Sequence, residues 1–316
     1  MRRERGARAA TAAPFPPEEA RMIDHSTPPA GVLVGVDGSP ATAGAVRWAA
    51  REAARRHLPL DLVQVLPPSE RPHDELRSPS GRAHALLEQA HQVAVATAPE
   101  VPVRLSVVDG VAGPSLVATA SRARLLVIGA RPGTGLADMG VGRTIAHVMG
   151  HAPCPVIVVP PDWEPAEDEA SRGVLVGVDG SAEAVGAIAF GADVADRSRS
   201  TLVTVSVTPR LDGPDEETRR RYLAEAGAGI ATTHPDLVVQ EVLRRGAPSE
   251  ALLDVARSGV SLVALGSRGR GAVGGALLGS TSQQVVRFAP CPVAVLPPRA
   301  AATWARPERT YAGEGA

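Results

Sequence analysis

The sequence predicts an α/β fold of two tandem domains, each a five-stranded, parallel, doubly wound sheet flanked by about four helices. Three observations predict it. The chain has 316 residues, enough for two cores when one core typically serves about 100–200 residues. The string Gly-Val-Leu-Val-Gly-Val-Asp-Gly-Ser occurs at Gly31–Ser39 and again at Gly173–Ser181, and Ala152-Pro-Cys-Pro-Val156 recurs as Ala289-Pro-Cys-Pro-Val293. These matches reach from the first to the last element of each copy, so the chain is a duplication. Within each copy short β-branched runs alternate with Ala-rich amphipathic segments, the pattern of consecutive βαβ units.

In the first copy, residues 31–160, strands are expected at 31–37, 60–66, 103–109, 124–129 and 154–159. In the second, residues 173–297, they are expected at 173–179, 201–207, 237–244, 261–266 and 292–297, with helices near 182–198, 214–232, 248–258 and 280–288. Runs such as Leu125-Leu-Val-Ile128 and Leu262-Val-Ala-Leu265 are apolar on both faces, as strands covered by helices on both sides must be. The last strands, Val156–Val159 and Val293–Leu296, are apolar edges that adjoin if the copies pack as an intramolecular pseudo-dimer. Residues 1–30, rich in Arg, Ala, Pro and Glu without a signal-like apolar stretch, read as a disordered cytoplasmic leader. Residues 161–172 read as a linker and 298–316 as a disordered tail.

Composition excludes several classes. No apolar run approaches the roughly 18–20 residues of a membrane-spanning helix. The net charge of −1 and an aromatic content of 3% provide neither the field nor the stacking platforms of a nucleic-acid binder. All 33 basic residues are Arg, and Lys does not occur. A Walker-type phosphate loop and a lysine nucleophile are therefore both ruled out. Cys154 and Cys291 occupy equivalent positions before the last strands and read as small buried residues.

Ligands of doubly wound sheets bind beyond the carboxyl ends of the strands, where the strand order reverses. Three features of the second copy fall there. Asp179 closes the first strand; it is either a turn or helix-capping aspartate or an acceptor for ribose hydroxyls. After the fourth strand runs Gly266-Ser-Arg-Gly269-Arg-Gly271-Ala-Val-Gly274-Gly275-Ala-Leu-Leu-Gly279-Ser280. Glycines let backbone approach a phosphate closely, and Gly279-Ser280 opens the next helix with its positive end toward an anion. Ser280 and Thr281 add hydroxyls, and Arg268 or Arg270 charge. The alternative is a flexible loop with Ser280 as an ordinary helix cap. The exit of the second strand, Val205-Ser-Val207, presents backbone that any parallel strand would present.

The spacing Gly266-x2-Gly269-x9-Gly279-Ser280, with Val-Gly-Val-Asp-Gly-Ser before it and Gly-Ser-Thr-Ser-Gln-Gln-Val-Val leading to Ala-Pro-Cys-Pro-Val after it, resembles the ATP-binding pattern of the universal stress protein family. The resemblance covers both copies. It implies a flavodoxin/Rossmann-like, cytoplasmic domain that pairs through its last strand, serves resistance to stress, binds ATP with or without Mg2+, and carries no defined catalytic chemistry. Carried over residue by residue, it places Asp179 at the ribose and the Val207 backbone at adenine. It puts Gly266, Gly269, Gly279 and Ser280 in the phosphate loop, with Thr281 and Ser282 beside it.

The first copy departs from that pattern. Its loop aligns without a gap, and Pro132 stands for Gly269 and Arg143 for Ser280, while Asp37, Gly129 and Gly142 remain. Proline removes a donor and fixes φ, and one lost charge-assisted bond costs about 1.5–3 kcal/mol. Arg143 either binds phosphate itself or fills the pocket by pairing with Asp37 or Asp138; the filled pocket is the expectation. His147 and His151 have a metal-ligand spacing without an evident third ligand, and Arg219–Arg221 reads as a solvated helix face. The expected function is adenine-nucleotide binding in the second domain of a stress-response protein, with the first domain as a structural or regulatory partner and a homodimer as a further association. Turnover, at most slow ATP hydrolysis, and a nucleotide-independent scaffold are the alternatives.

Overall fold

A computed structural model describes residues 31–68, 79–130, 141–166, 171–208, 215–269 and 278–305. The expected leader, Pro132, Asp138, Arg270 and the far end of the tail lie outside the described residues. The first half contains β1 (Val32–Val36), α1 (Ala41–Arg56), β2 (Leu60–Leu66), α2 (Pro79–Thr97), β3 (Val103–Asp109), α3 (Ala112–Thr119), β4 (Leu125–Gly129), α4 (Arg143–His151) and β5 (Val156–Val159). The second repeats it as β6 (Val174–Gly177), α5 (Ala182–Ser198), β7 (Leu202–Thr208), α6 (Glu216–Thr233), β8 (Val239–Arg245), α7 (Pro248–Arg257), β9 (Leu262–Gly266), α8 (Ser280–Phe288) and β10 (Val293–Leu296). No helix among the described residues is long and apolar enough to cross a membrane.

The ten strands form one mixed sheet in the order β3-β2-β1-β4-β5-β10-β9-β6-β7-β8. Pairing is parallel within each half, and β5 meets β10 antiparallel with Val158 opposite Val293 and Val156 opposite Val295. These two strands, Val-Ile-Val-Val and Val-Ala-Val-Leu, are buried throughout, so each hides the other's apolar edge. The outer edges, β3 and β8, carry Arg104, Glu241, Arg244 and Arg245, charges that discourage further strand addition. Antiparallel pairing at the centre also means that the carboxyl edges of the two halves face opposite ends of the sheet.

Helices cover both faces. On one, α1, α2, α5 and α6 pack over a core that includes Trp48, Leu60, Leu62, Phe190 and Leu202 and runs unbroken across both halves. On the other, α3, α4, α7 and α8 cover Leu126, Met149, Val156, Val263 and Val293. Cys154 and Cys291 lie in this second layer, where burial pushes both thiols up to about 12. They are free and act as small apolar residues.

The halves are also joined by charge. Arg56, at the end of α1, donates from Nε to Glu52 at 2.6 Å and pairs through Nη2 with Asp193 of α5 at 2.7 Å, with the Arg56 and Glu52 side chains almost fully buried. Desolvation opposes the Arg56 charge, but the two carboxylates prevail and raise its pKa further above the ordinary arginine value.

One expectation needs correcting. The segment from residue 298 does not begin as a disordered tail: Pro298–Trp304 forms a further helix, α9, with Ala300 and Ala301 buried. Gly186 of α5 makes room for it, since a methyl there would lie 2.4 Å from the Ala301 Cα. Trp304 then sits edge-on against Phe190 with the Arg124 guanidinium 3.9 Å from its ring centre. Proline at its first turn starts this helix, and an alanine face thin enough to lie against α5 holds it.

Candidate nucleotide crevice

In each half the strand order reverses between the first and fourth strands, at β1/β4 and at β6/β9. The crevice of the second half is built as follows. Asp179 follows β6, and its Oδ1 accepts from the Ser181 amide at 3.0 Å and the Ser181 hydroxyl at 2.6 Å. Ser181 in turn caps α5 by accepting from the Ala184 amide at 3.2 Å. This satisfies the capping alternative for Asp179 through Oδ1. The other oxygen faces the loop, because a methyl placed on Gly269 would lie 2.5 Å from Oδ2. Gly180, at φ +76, turns the chain where a methyl would meet the Tyr222 ring at 2.7 Å; only glycine fits both demands.

Val207 is buried in β7. Strand β6 ends at Gly177 opposite Val205, and the Val178 amide donates to the Val205 carbonyl at 2.8 Å. Alternate residues of a strand direct their backbone groups to the same side, so the amide and carbonyl of Val207 face the crevice past the end of β6.

Gly266 ends β9 directly under the first turn of α5: a methyl there would stand 2.6 Å from the Glu183 Cβ. Glu183, at the equivalent of Ala41 in the first half, thus stands at the crevice, and nothing in the sequence analysis singled it out. The two described ends of the glycine loop meet in a neck. The Gly279 amide donates to the Ser267 carbonyl at 2.8 Å, and the buried Ser282 hydroxyl reaches the Ser267 carbonyl at 3.1 Å and the Gly279 carbonyl at 2.9 Å. The Gly279 amide therefore serves the neck. Gly279 itself has φ −74, and a methyl on it would meet only ordinary contacts at 3.5 Å and beyond.

Helix α8 opens beyond the neck. Its cap residue, Gly279, supplies no side-chain acceptor, unlike Ser181 on α5 and Asp215 on α6. The first bond within α8 runs from the Gln283 amide to the Gly279 carbonyl, so the amides of Ser280, Thr281 and Ser282 form its open positive end. Ser280 is exposed and Thr281 partly buried. Among the described residues, Ser267 Oγ and Arg268 Nε are buried at the neck without a hydrogen-bond partner. Uncapped amides and orphaned donors at a loop mouth fit a ligand rich in acceptor oxygens, as a nucleotide phosphate is. Residues 270–277 lie outside the described residues.

The first half lacks this construction. Asp37 Oδ1 accepts from the Ser39 amide and the Thr42 hydroxyl, both at 2.9 Å. Alignment of the loops puts Ala130 where Ser267 stands and Ile145 where Ser282 stands, so both neck hydroxyls are gone. Gly142 adopts φ +82 with open space around it, and Arg143 is exposed instead of buried in the pocket, as the filled-pocket expectation requires. Leu86 replaces Tyr222 over the turn glycine, here Gly38. His147 and His151 stack at 4.4 Å between ring centres; burial, then His151, lowers the pKa of His147. The described residues contain no cluster of three or more metal-ligating side chains.

The family model described as the universal stress protein family matches residues 31–160 and 171–297. A universal stress protein of Mycobacterium tuberculosis is 32% identical over 284 residues, covering 84% of this chain and 95% of that protein. One from Mycolicibacterium smegmatis is 34% identical over 289 residues, covering 85% and 97%. The crystal structure of a universal stress protein from Archaeoglobus fulgidus superposes with a TM-score of 0.66 at 20% identity, covering 84% of this chain and 96% of that one; this likeness is one of fold.

Proposed function

Because the chain belongs to the universal stress protein family through both halves, we propose that it is a stress-response protein that binds ATP in the crevice of its second half, with the first half as a pseudo-dimer partner. The observation that carries the reading is one juxtaposition: Asp179 Oδ2, the glycine pair Gly266 and Gly269, and the uncapped first turn of α8 meet at one switch point. The base lies against the Val207 backbone, Asp179 Oδ2 accepts from the ribose, and the phosphates take the amides and hydroxyls of Ser280 and Thr281. Charge-assisted bonds of this kind contribute about 1.5–3 kcal/mol each, so three of them offset much of the cost of immobilising a nucleotide. Glu183 repels a bare triphosphate there and offers an oxygen ligand to a Mg2+ that the triphosphate carries.

The output is binding without defined turnover. Contacts that hold ground state and transition state alike do not accelerate cleavage, and binding alone is asked of the amides and hydroxyls here. Thermal unfolding with added nucleotide tests the reading, because a ligand bound to the native state alone raises the midpoint. ATP is expected to raise it at millimolar concentration while GTP, with a different base edge, has little effect. Equal midpoints with and without ATP would leave a nucleotide-independent scaffold as the function.

A further inference from the structure

We infer that the Ser282 side chain positions the phosphate loop and is not itself a ligand: its buried hydroxyl, sharing one proton between carbonyls at the two ends of the loop, holds them so that the open turn of α8 meets a phosphate already in place. The inference rests on the nucleotide reading above and adds to it a role for a side chain that the family pattern merely sets beside the loop.

Three features of the neck support this. Ser282 is 3% exposed, too deep for its hydroxyl to reach a ligand as Ser280 can. Its Oγ lies 3.1 Å from the Ser267 carbonyl and 2.9 Å from the Gly279 carbonyl. These belong to opposite ends of a glycine-rich stretch whose closure costs conformational entropy. The same Ser267 carbonyl also takes the Gly279 amide at 2.8 Å, so one acceptor gathers backbone and side chain into a single knot. The hydroxyl is placed on the third residue of the helix, whose side chain is directed back over the preceding turn.

The duplication supplies the comparison. Where the hydroxyl is replaced by the Ile145 side chain, with Ala130 keeping only the backbone carbonyl that Ser267 offers, the glycine at the helix mouth is found at φ +82 in place of φ −74. An amide at φ +82 points its peptide plane differently from one at φ −74, so the two loops deliver their chains to the helix by different routes. Arrangement of the donors before the ligand arrives is what raises affinity here, since the ordering cost is then met within the folded protein.

The test uses the full chain and three variants, Ser282→Ala, Ser282→Thr and Ser280→Ala, with ATP affinity from calorimetry and amide exchange at Gly279 followed together. One net hydrogen bond corresponds to roughly a three- to tenfold change. Ser282→Ala is expected to weaken ATP by about tenfold and to speed Gly279 exchange by a similar factor. Ser282→Thr, which keeps the hydroxyl, should restore both. Ser280→Ala, which removes a ligand and leaves the neck intact, should weaken ATP with Gly279 exchange unchanged. A Ser282→Ala chain that binds ATP as tightly as the wild type while Gly279 exchanges faster would overturn the positioning role alone. Unchanged exchange in Ser282→Ala would overturn the clamp. A wild-type chain that binds no ATP at millimolar concentration would overturn the nucleotide reading, and the positioning role with it.

Discussion

The two crevices of this molecule sit on equivalent strands and differ in their polar atoms. In the second, Ser267, Ser282 and Gly279 knot the loop, Ser181 and Asp179 cap the neighbouring helix, and Tyr222 backs the turn. In the first, Ala130, Ile145 and Leu86 take those places and the helix mouth lies open at Gly142. The buried layers meanwhile stayed alike: β5 and β10 are both fully buried valine-rich strands. The difference teaches that the polar atoms of a duplicated crevice can diverge while the fold around it is held in place by a second duty. The first half provides the strand that covers β10 and the Arg56 that neutralises Asp193.

The largest expected effect tests that second duty. Arg56→Leu removes the partner that Glu52 and Asp193 share between the halves, leaving Glu52 with Arg55 at 3.6 Å and Asp193 with Arg197 at 2.9 Å. Removing one partner of such a pair costs about 3–5 kcal/mol, which denaturant unfolding would register as a lower midpoint. A loss below about 1 kcal/mol would show that the paired strands and the shared apolar core hold the halves together without help from this ion pair.

Next comes the copying of the first loop onto the second. Gly269→Pro adds a side chain where a methyl would already stand 2.5 Å from Asp179 Oδ2, and removes a backbone donor. ATP affinity should fall roughly a hundredfold or more in a calorimetric titration. Binding within a few-fold of wild type would sever Gly269 from the site.

Asp179→Ala is expected to do less to affinity, roughly tenfold by the loss of a charged acceptor. It should also lower stability by about 1 kcal/mol, because Oδ1 orients the Ser181 cap of α5. An affinity loss without that stability loss would separate the two oxygens' roles. Smaller still, Glu183→Gln should tighten Mg2+-free ATP a few-fold and weaken its dependence on Mg2+; affinity unchanged under both conditions would place the carboxylate away from the phosphates. The smallest expected effect is none: Pro132→Gly with Arg143→Ser in the first half should not create a second site, because Ala130 and Ile145 still leave its neck without hydroxyls.

The fold was legible because duplication repeats its strongest signals. The strands of the second half expected from 201–207 and 261–266 are observed at Leu202–Thr208 and Leu262–Gly266, since short apolar runs, β-branched or bounded by glycine, read as buried strands by length and flanks where periodicity alone is silent. The crevice was legible in its glycines and in Asp179, which follow a spacing. It was not legible in Ser267, Ser282 and Glu183, whose roles depend on which carbonyl or helix turn folds over them. The residue-by-residue alignment of the loops carried a signal for Ser282: its exchange for Ile145 at a buried position marks a lost hydrogen bond. The helix α9 escaped notice because it is seven residues long and lies beyond the repeat; its clue was a Pro-Pro pair after each last strand followed by a tryptophan, Trp163 and Trp304.

The central claim is that two halves with one fold have unequal crevices, and the number of ATP molecules bound per chain tests it most directly. Calorimetric titration of the full chain at a protein concentration well above the dissociation constant reads that number. One is expected, falling to none in Gly269→Pro. Two per chain would show that the first crevice still binds, and none at millimolar ATP would show that neither does.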